Sequence, residues 1–444
     1  MNPGQTAATV TPAAPAAIHP STGTTSDDSS LDASPDNINA PRPPMQRQII
    51  NLVLIMAAIV VPFLVFDARG ALFMVLALMA IIMFHEFCHF FVARLCGMKV
   101  TEFFLGFGPR LWSVRRGDTE YGIKAIPAGG YVKIIGMSSL DVVPGSDEAR
   151  TYRQQSWAKR VATIAAGPAS HFFLAFWLLI AYFAWAGQPV GIQPQVGSVL
   201  VGSPAQQAGL LPGDRILSIN GSPVRFFDDV ATQIADHSGE ALPVVVDRAG
   251  STRTLTITPR VIADADAIRR PRIGVAASGT YVTERTSVAG AFPKAFGELG
   301  NSTRLTFEGI RGLVKPDRLR SYMSQVKSAN TATGPVTQVE AETRPTSIIG
   351  MVQIGGDAAG RSKSELLLIL VAINLGLGMF NLLPMLPLDG GHIVLATWEA
   401  IVSRAKGRRH FADMTKVMPF AAAFLAVLLV LGVSAMYLDV VRPL

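Results

Sequence analysis

Five long apolar stretches divide the chain, at roughly 49–66, 71–95, 160–186, 365–388 and 417–438. Each is long enough to cross a hydrocarbon core, which takes about 20 helical residues. Only Asp67, Ala68, Arg69 and Gly70 separate the first two, which predicts a helical hairpin. Between the stretches the pattern changes. In 97–158, Val114 to Arg116 and Glu120 to Ile126 alternate like strands around a Gly117-Asp118 turn signal. Pro127, Ala128, Gly129 and Gly130 mark a second turn before Tyr131 to Ile135. Residues 191–262 read as a compact domain, with a Pro212-Gly213-Asp214 turn and strands around Ile216 to Ile219, Val244 to Arg248 and Thr254 to Ile257. Over 288–315, Phe292, Phe296, Leu299, Thr303, Phe307, Ile310 and Val314 recur every three or four residues, which predicts an amphipathic helix. Its apolar face suits either the outer membrane surface or the 191–262 domain.

These elements predict a polytopic α-helical membrane protein with a β-hairpin region on one side and an inserted soluble domain. The segments are a tail (1–45), two spans (46–96), a β region (97–158), a span (159–187), the compact domain (191–262), a linker with the amphipathic helix (263–364) and two last spans (365–444). The tail is rich in Ala, Pro, Ser and Thr and reads as disordered. It does not read as a signal peptide, because the apolar run starts too late and is too long.

Charge orients the spans. Lys and Arg concentrate in cytoplasmic loops. Lys99, Arg110, Arg115, Arg116, Lys124, Lys133, Arg150, Arg153, Lys159 and Arg160 flank the second and third spans, and Arg404, Lys406, Arg408 and Arg409 lie between the last two. Both segments are therefore expected on the cytoplasmic side, as is the N-terminus, with 187–364 outside. The chain carries +7 in all, but its basic residues border apolar runs, which argues for the lipid bilayer and against nucleic acid as partner. Only 16% of its 444 residues are charged, against about 25% in soluble proteins. Two cysteines, Cys88 and Cys96, with no CxxC pair, exclude a disulfide framework and argue against a zinc-thiolate cluster.

The strongest chemical signal is His85-Glu86-Phe87-Cys88-His89, inside the second apolar run. Helix positions i and i+4 share a face, so two imidazoles can bind one zinc ion while Glu86 serves as general base. Charge at mid-span costs about 2.5–3.5 kcal/mol on insertion scales, which makes packing a poor explanation. A catalytic zinc takes three protein ligands and keeps one open position. Asp389, in Asn381-Leu382-Leu383-Pro384-Met385-Leu386-Pro387-Leu388-Asp389-Gly390-Gly391, is the third candidate. It lies near the cytoplasmic end of the fourth span, at the depth of His85 and His89. Pro384 and Pro387 break a regular helix there, and open backbone at membrane depth needs protein or a water cavity around it. Asn374 and Asn381 either hydrogen-bond substrate backbone, orient ligands or join helices. A membrane scaffold with a degenerate metal site and a metal-dependent transporter are the rival readings.

HExxH in one span with Asn381-x-x-Pro384-x-x-x-x-Asp389-Gly390 in a late one resembles the site-2 proteases. Phe104-Leu105-Gly106-Phe107-Gly108-Pro109, Gly129-Gly130-Tyr131-Val132 and Ala166-Gly167-Pro168 extend the resemblance in order over about 71–440. The chain looks most like the bacterial branch that cleaves anti-sigma factors, and its outside domain resembles a PDZ domain. The resemblance implies zinc, peptide hydrolysis within the bacterial inner membrane, and single-span substrates already trimmed outside it. Strands in 119–136 are expected to hold unwound substrate by strand addition. The chain departs from the family in its additional first span, in a single PDZ-like domain, and in His171, where many members have Asn. His171 is either a polar helix contact or a group that steadies the tetrahedral intermediate.

Overall fold

The computed structural model describes residues 44–137, 141–263, 269–313, 315–331, 336–337, 340 and 344–443. The expected tail lies almost wholly outside them. Helices α1 (Met45–Val65) and α2 (Arg69–Leu95) form the hairpin. Strands β1 (Val100–Arg116) and β2 (Thr119–Ile134) follow, then α3 (Trp157–Ala181), which runs on into a π-helical turn, Tyr182–Ala186. Ten short strands and two short helices occupy 188–284. After them come α6 (Val288–Leu313), α7 (Pro316–Ser328), α8 (Ile348–Arg361), α9 (Lys363–Asn381), α10 (Asp389–Lys406) and α11 (Met414–Val441). Five of these helices, α1, α2, α3 with its π turn, α9 and α11, are long and apolar enough to cross a membrane.

The bundle centre is α2, α3 and α9. Met74 and Ile81 of α2 are buried with Leu370 and Ile373 of α9, and Leu174 and Leu178 of α3 pack against them. Helices α1 and α11 are peripheral. The only buried residue of α1 is Gln48, whose Oε1 accepts from the Ser113 N–H at 3.3 Å. The buried residues of α11 are confined to its C-terminal end, at Ala435, Leu438 and Asp439. There Asp439 pairs with Arg344 at 2.8 Å and accepts from Ser347 N–H, the N-cap of α8.

The β region is folded more tightly than the pattern alone shows. β2 extends through 127–130, but its direction relative to β1 reverses between Ile123 and Gly130, where the second turn was expected. The whole hairpin thus bends back on itself, so that Phe103 pairs with both Val132 and Tyr121, and Tyr121 pairs also with Val114. Residues 130–134 thus form an edge of a sheet whose interior is the first half of β1. Gly106 and Gly108, at φ 87° and 82°, provide the left-handed backbone that the fold-back needs.

The compact domain also extends past its expected limit at 262. Its sheet has the order β6 (Ser222–Pro223), β5 (Arg215–Ile219), β7 (Leu242–Arg248), β8 (Ser251–Ile257). Two later strands return to its start: Val275–Ala277 pairs with Val196–Val199, and Tyr281–Glu284 with Gln188–Ile192. Ile216, Ile219, Val244, Val246, Ile257 and Ile273 fill one core. Asp214, buried, pairs with Arg248 at 2.7 Å, and that guanidinium holds its carboxyl below the usual range.

The amphipathic pattern does form a helix, α6, and its buried face meets the spans. Ala291 and Ala295 are buried with Ala175 and Leu179 of α3 and Leu367 and Val371 of α9. Small side chains let α6 approach the spans, while Phe296 stays 73% exposed.

Candidate metal centre

On α2, His85 and His89 are one turn apart and face α3, and both are buried. Helix α9 stops at Asn381, seven residues short of the expected 388, because Pro384 and Pro387 cannot continue it. The segment 382–388 turns back, and Asp389 does not close a span but opens a separate helix, α10. A carboxylate in the first helical turn suits the helix dipole. Gly390 and Gly391 permit the turn. A methyl on Gly391 would lie 2.5 Å from Leu386 N, and one on Gly390 would overlap the carbonyls of Leu382 and Leu383.

This brings three atoms together. His85 Nε2 and His89 Nε2 are 3.0 Å apart, and Asp389 Oδ2 lies 3.2 and 3.4 Å from them. These residues could hold a metal ion. Two observations test the fit. Bonds of about 2.0–2.2 Å to a tetrahedral zinc put ligand atoms roughly 3.3 Å apart, and the triangle matches. Asp389 Oδ2 is also buried without a hydrogen-bond donor, a costly arrangement for a carboxylate oxygen unless a cation faces it. The His89 tautomer agrees: its Nδ1 is 2.8 Å from the Thr163 carbonyl, which can only accept, so the neutral ring has its lone pair on Nε2.

Gly167 makes the site sterically possible. A Cβ there would overlap His89 Nε2 and sit 2.6 Å from His85 Cε1. The Ala-Gly-Pro motif is thus a notch in α3 that admits both imidazoles. Glu86, half-buried, interacts electrostatically with His85, His89 and Asp389, and the Val132 backbone N–H faces its carboxylate. Gly130 lets the sheet edge come this close, since a Cβ there would be 2.5 Å from Met83 Sδ and 3.4 Å from Glu86 Cγ. Gly129, at φ 149°, lies against Phe107.

His171, fully buried on α3, was the residue whose role the sequence left open. Its Nε2 is 3.1 Å from His85 Nδ1, and its Nδ1 is 3.2 Å from Asn374 Oδ1. Asn374 is 0% exposed and donates to the Leu370 carbonyl at 2.8 Å. Asn381 and Pro384 sit at the end of α9 and in the turn beyond it; among the described residues neither joins this network. Cys88 is half-buried and does not belong to the metal cluster.

The model of Peptidase family M50 matches residues 73–426 of the chain. Among curated proteins, the zinc metalloprotease Rip1 of Mycobacterium tuberculosis (strain ATCC 25618 / H37Rv) is 30% identical over 409 residues, covering 84% of this chain and 98% of that one. A putative zinc metalloprotease of Mesorhizobium japonicum, mll0638, is 32% identical over 387 residues, covering 82% and 96%. Among solved structures, the PDZ domain of an SdrC-like protein from Listeria monocytogenes is similar at 22% identity over 20% of this chain and 86% of that chain, with a TM-score of 0.17.

Proposed function

The chain belongs to peptidase family M50 and is a zinc metalloprotease of the site-2 type, and from that premise we propose that it cuts single-span membrane proteins, of the anti-sigma-factor kind, within or beside their spans. The observation that carries this reading is the convergence of His85 Nε2, His89 Nε2 and Asp389 Oδ2 beside Glu86 on an apolar helix. His85, His89 and Asp389 hold the zinc. Bound zinc supplies a Lewis acid, which makes water nucleophilic near neutral pH and polarises a carbonyl. Glu86 takes the proton from the attacking water and returns it to the leaving amine.

A helical substrate must unwind before its peptide bonds can be reached. The 130–134 edge of the sheet, next to Glu86, suits an extended segment added by backbone hydrogen bonds. Gly129 and Gly130 keep that edge low enough for the segment to reach the centre. Asn381, half-buried at the end of α9, retains donors and an acceptor for substrate backbone, and Pro384 holds the turn open beside it.

The chain sits in the bacterial inner membrane with its N-terminus and β region in the cytoplasm and its PDZ-like domain outside. With Cys88 and Cys96 replaced, a cysteine at the exposed Ser222 should react with an impermeant maleimide in intact cells. A cysteine at Val142, 99% exposed, should react only after permeabilisation. The opposite pattern would invert the orientation.

On this reading the PDZ-like domain selects substrates and contributes nothing to the chemistry, being separated from the centre by most of a membrane thickness, roughly 30 Å. Ile192 and Tyr281 are paired neighbours at its base. Joining them through a short turn removes the domain with little disturbance to α3 and α6. The shortened enzyme should cut a short membrane-spanning peptide at the wild-type rate, and should also cut untrimmed substrate that the full chain rejects. Continued rejection would place size selection elsewhere.

A further inference from the structure

We propose that His171 is a positioning residue for the metal centre: through one directed hydrogen-bond chain, Leu370 carbonyl to Asn374 to His171 to His85, it makes His85 present its Nε2 lone pair to the zinc. The inference rests on the assignment of His85 as a ligand.

The direction of the chain follows from its far end. The Leu370 carbonyl can only accept, so the Asn374 contact at 2.8 Å is made by the amide nitrogen. The amide oxygen then faces His171 Nδ1 at 3.2 Å. An amide oxygen also only accepts, so His171 carries its proton on Nδ1. The neutral ring is left with a lone pair on Nε2, 3.1 Å from His85 Nδ1. His85 must donate there, and its own lone pair falls on Nε2, facing His89 Nε2 and Asp389 Oδ2.

Of the roles open to Asn374 at the sequence level, this selects ligand orientation, because both ends of its buried amide are occupied. His89 achieves the same tautomer with a single carbonyl, that of Thr163. His85 has a side-chain relay across three helices instead. Packing is shaped for it: a Cβ on Gly378 of α9 would lie 2.9 Å from His171 Cβ.

The test is zinc release from the purified full-length holoenzyme to a chelator. Loss of an outer-shell partner of a ligand histidine costs about 10–100-fold in metal affinity. His171→Leu should therefore release zinc about 10–100-fold more readily, and His171→Gln, whose amide oxygen can accept from His85, should recover most of that. Nitrogen-15 NMR of the zinc-loaded wild type should find His171 protonated on Nδ1 and not on Nε2, a readout that needs no variant to fold. Unchanged release from His171→Leu, failure of His171→Gln to recover, or an Nε2–H tautomer would overturn the relay. Retention of zinc by His85→Ala would instead overturn the ligand set on which it rests.

Discussion

A Glu86→Gln variant should carry zinc to full stoichiometry and yet cleave at least about 10³-fold more slowly than wild type, within the range for removing a general base. The substitution keeps the size of the side chain and its hydrogen-bonding reach toward the Val132 N–H. It removes the one feature that hydrolysis needs, an acceptor that can take a proton and give it back. Glu86 is not among the three converging atoms, so the metal should stay. Metal analysis and a single-turnover assay on a membrane-spanning substrate, run on one preparation, separate the two properties. Loss of zinc in Glu86→Gln would make Glu86 a ligand and leave the base unidentified. Retained cleavage would remove it from the chemistry.

Gly167→Ala should be nearly as damaging, although it runs with helix propensity. In a helix interior Ala is better than Gly by about 0.8–1.0 kcal/mol, so a local view predicts a small gain in stability. The methyl would instead fall on the His89 ring and 2.6 Å from His85 Cε1. Either α3 withdraws from α2 or the imidazoles rotate, and both outcomes spread the ligand triangle. A misplacement of about 1 Å costs on the order of 10²-fold in rate. The expected result is a folded protein with reduced zinc occupancy and at least about a 100-fold loss of activity, comparable with Asp389→Ala. Wild-type zinc content and rate in Gly167→Ala would show that the helices have slack that the packing does not reveal.

How far the sequence could be read depended on the range of each interaction. His85 and His89 were legible because one helical turn relates them, and the surrounding apolar run made their charge anomalous. Asp389 was found by depth and by its prolines, yet the helix it opens was not foreseen, because the Gly390-Gly391 step reads as a stop as easily as a start. The notch at Gly167 and the His171 contact are relations between helices, invisible to periodicity on either one. In the sheet, the Pro127 to Gly130 cluster announced the reversal of β2 locally, but the pairing of Phe103 with both Val132 and Tyr121 on its two sides is a long-range relation that composition does not show. Past 262, the Arg269–Arg272 strand is too charged and too short to announce itself, and its neighbours are recruited by pairing with residues 76 to 96 positions earlier. For α6 the period identified the helix but not its partner, since the small face of Ala291 and Ala295 carries less hydrophobic signal than the phenylalanines it leaves exposed.

The distance along the chain between His85 and Asp389, about three hundred residues, also has a consequence in time. At roughly 5–20 residues per second, the ribosome needs on the order of 15–60 s to proceed from α2 to α10. Throughout that interval the nascent protein presents two histidines and Glu86 without their third partner. The turn at 382–388 and the first residues of α10 complete the triangle only when most of the chain has been made. A protease assembled in this order stays silent while its own unpacked helices, the nearest extended membrane segments available to it, are being inserted.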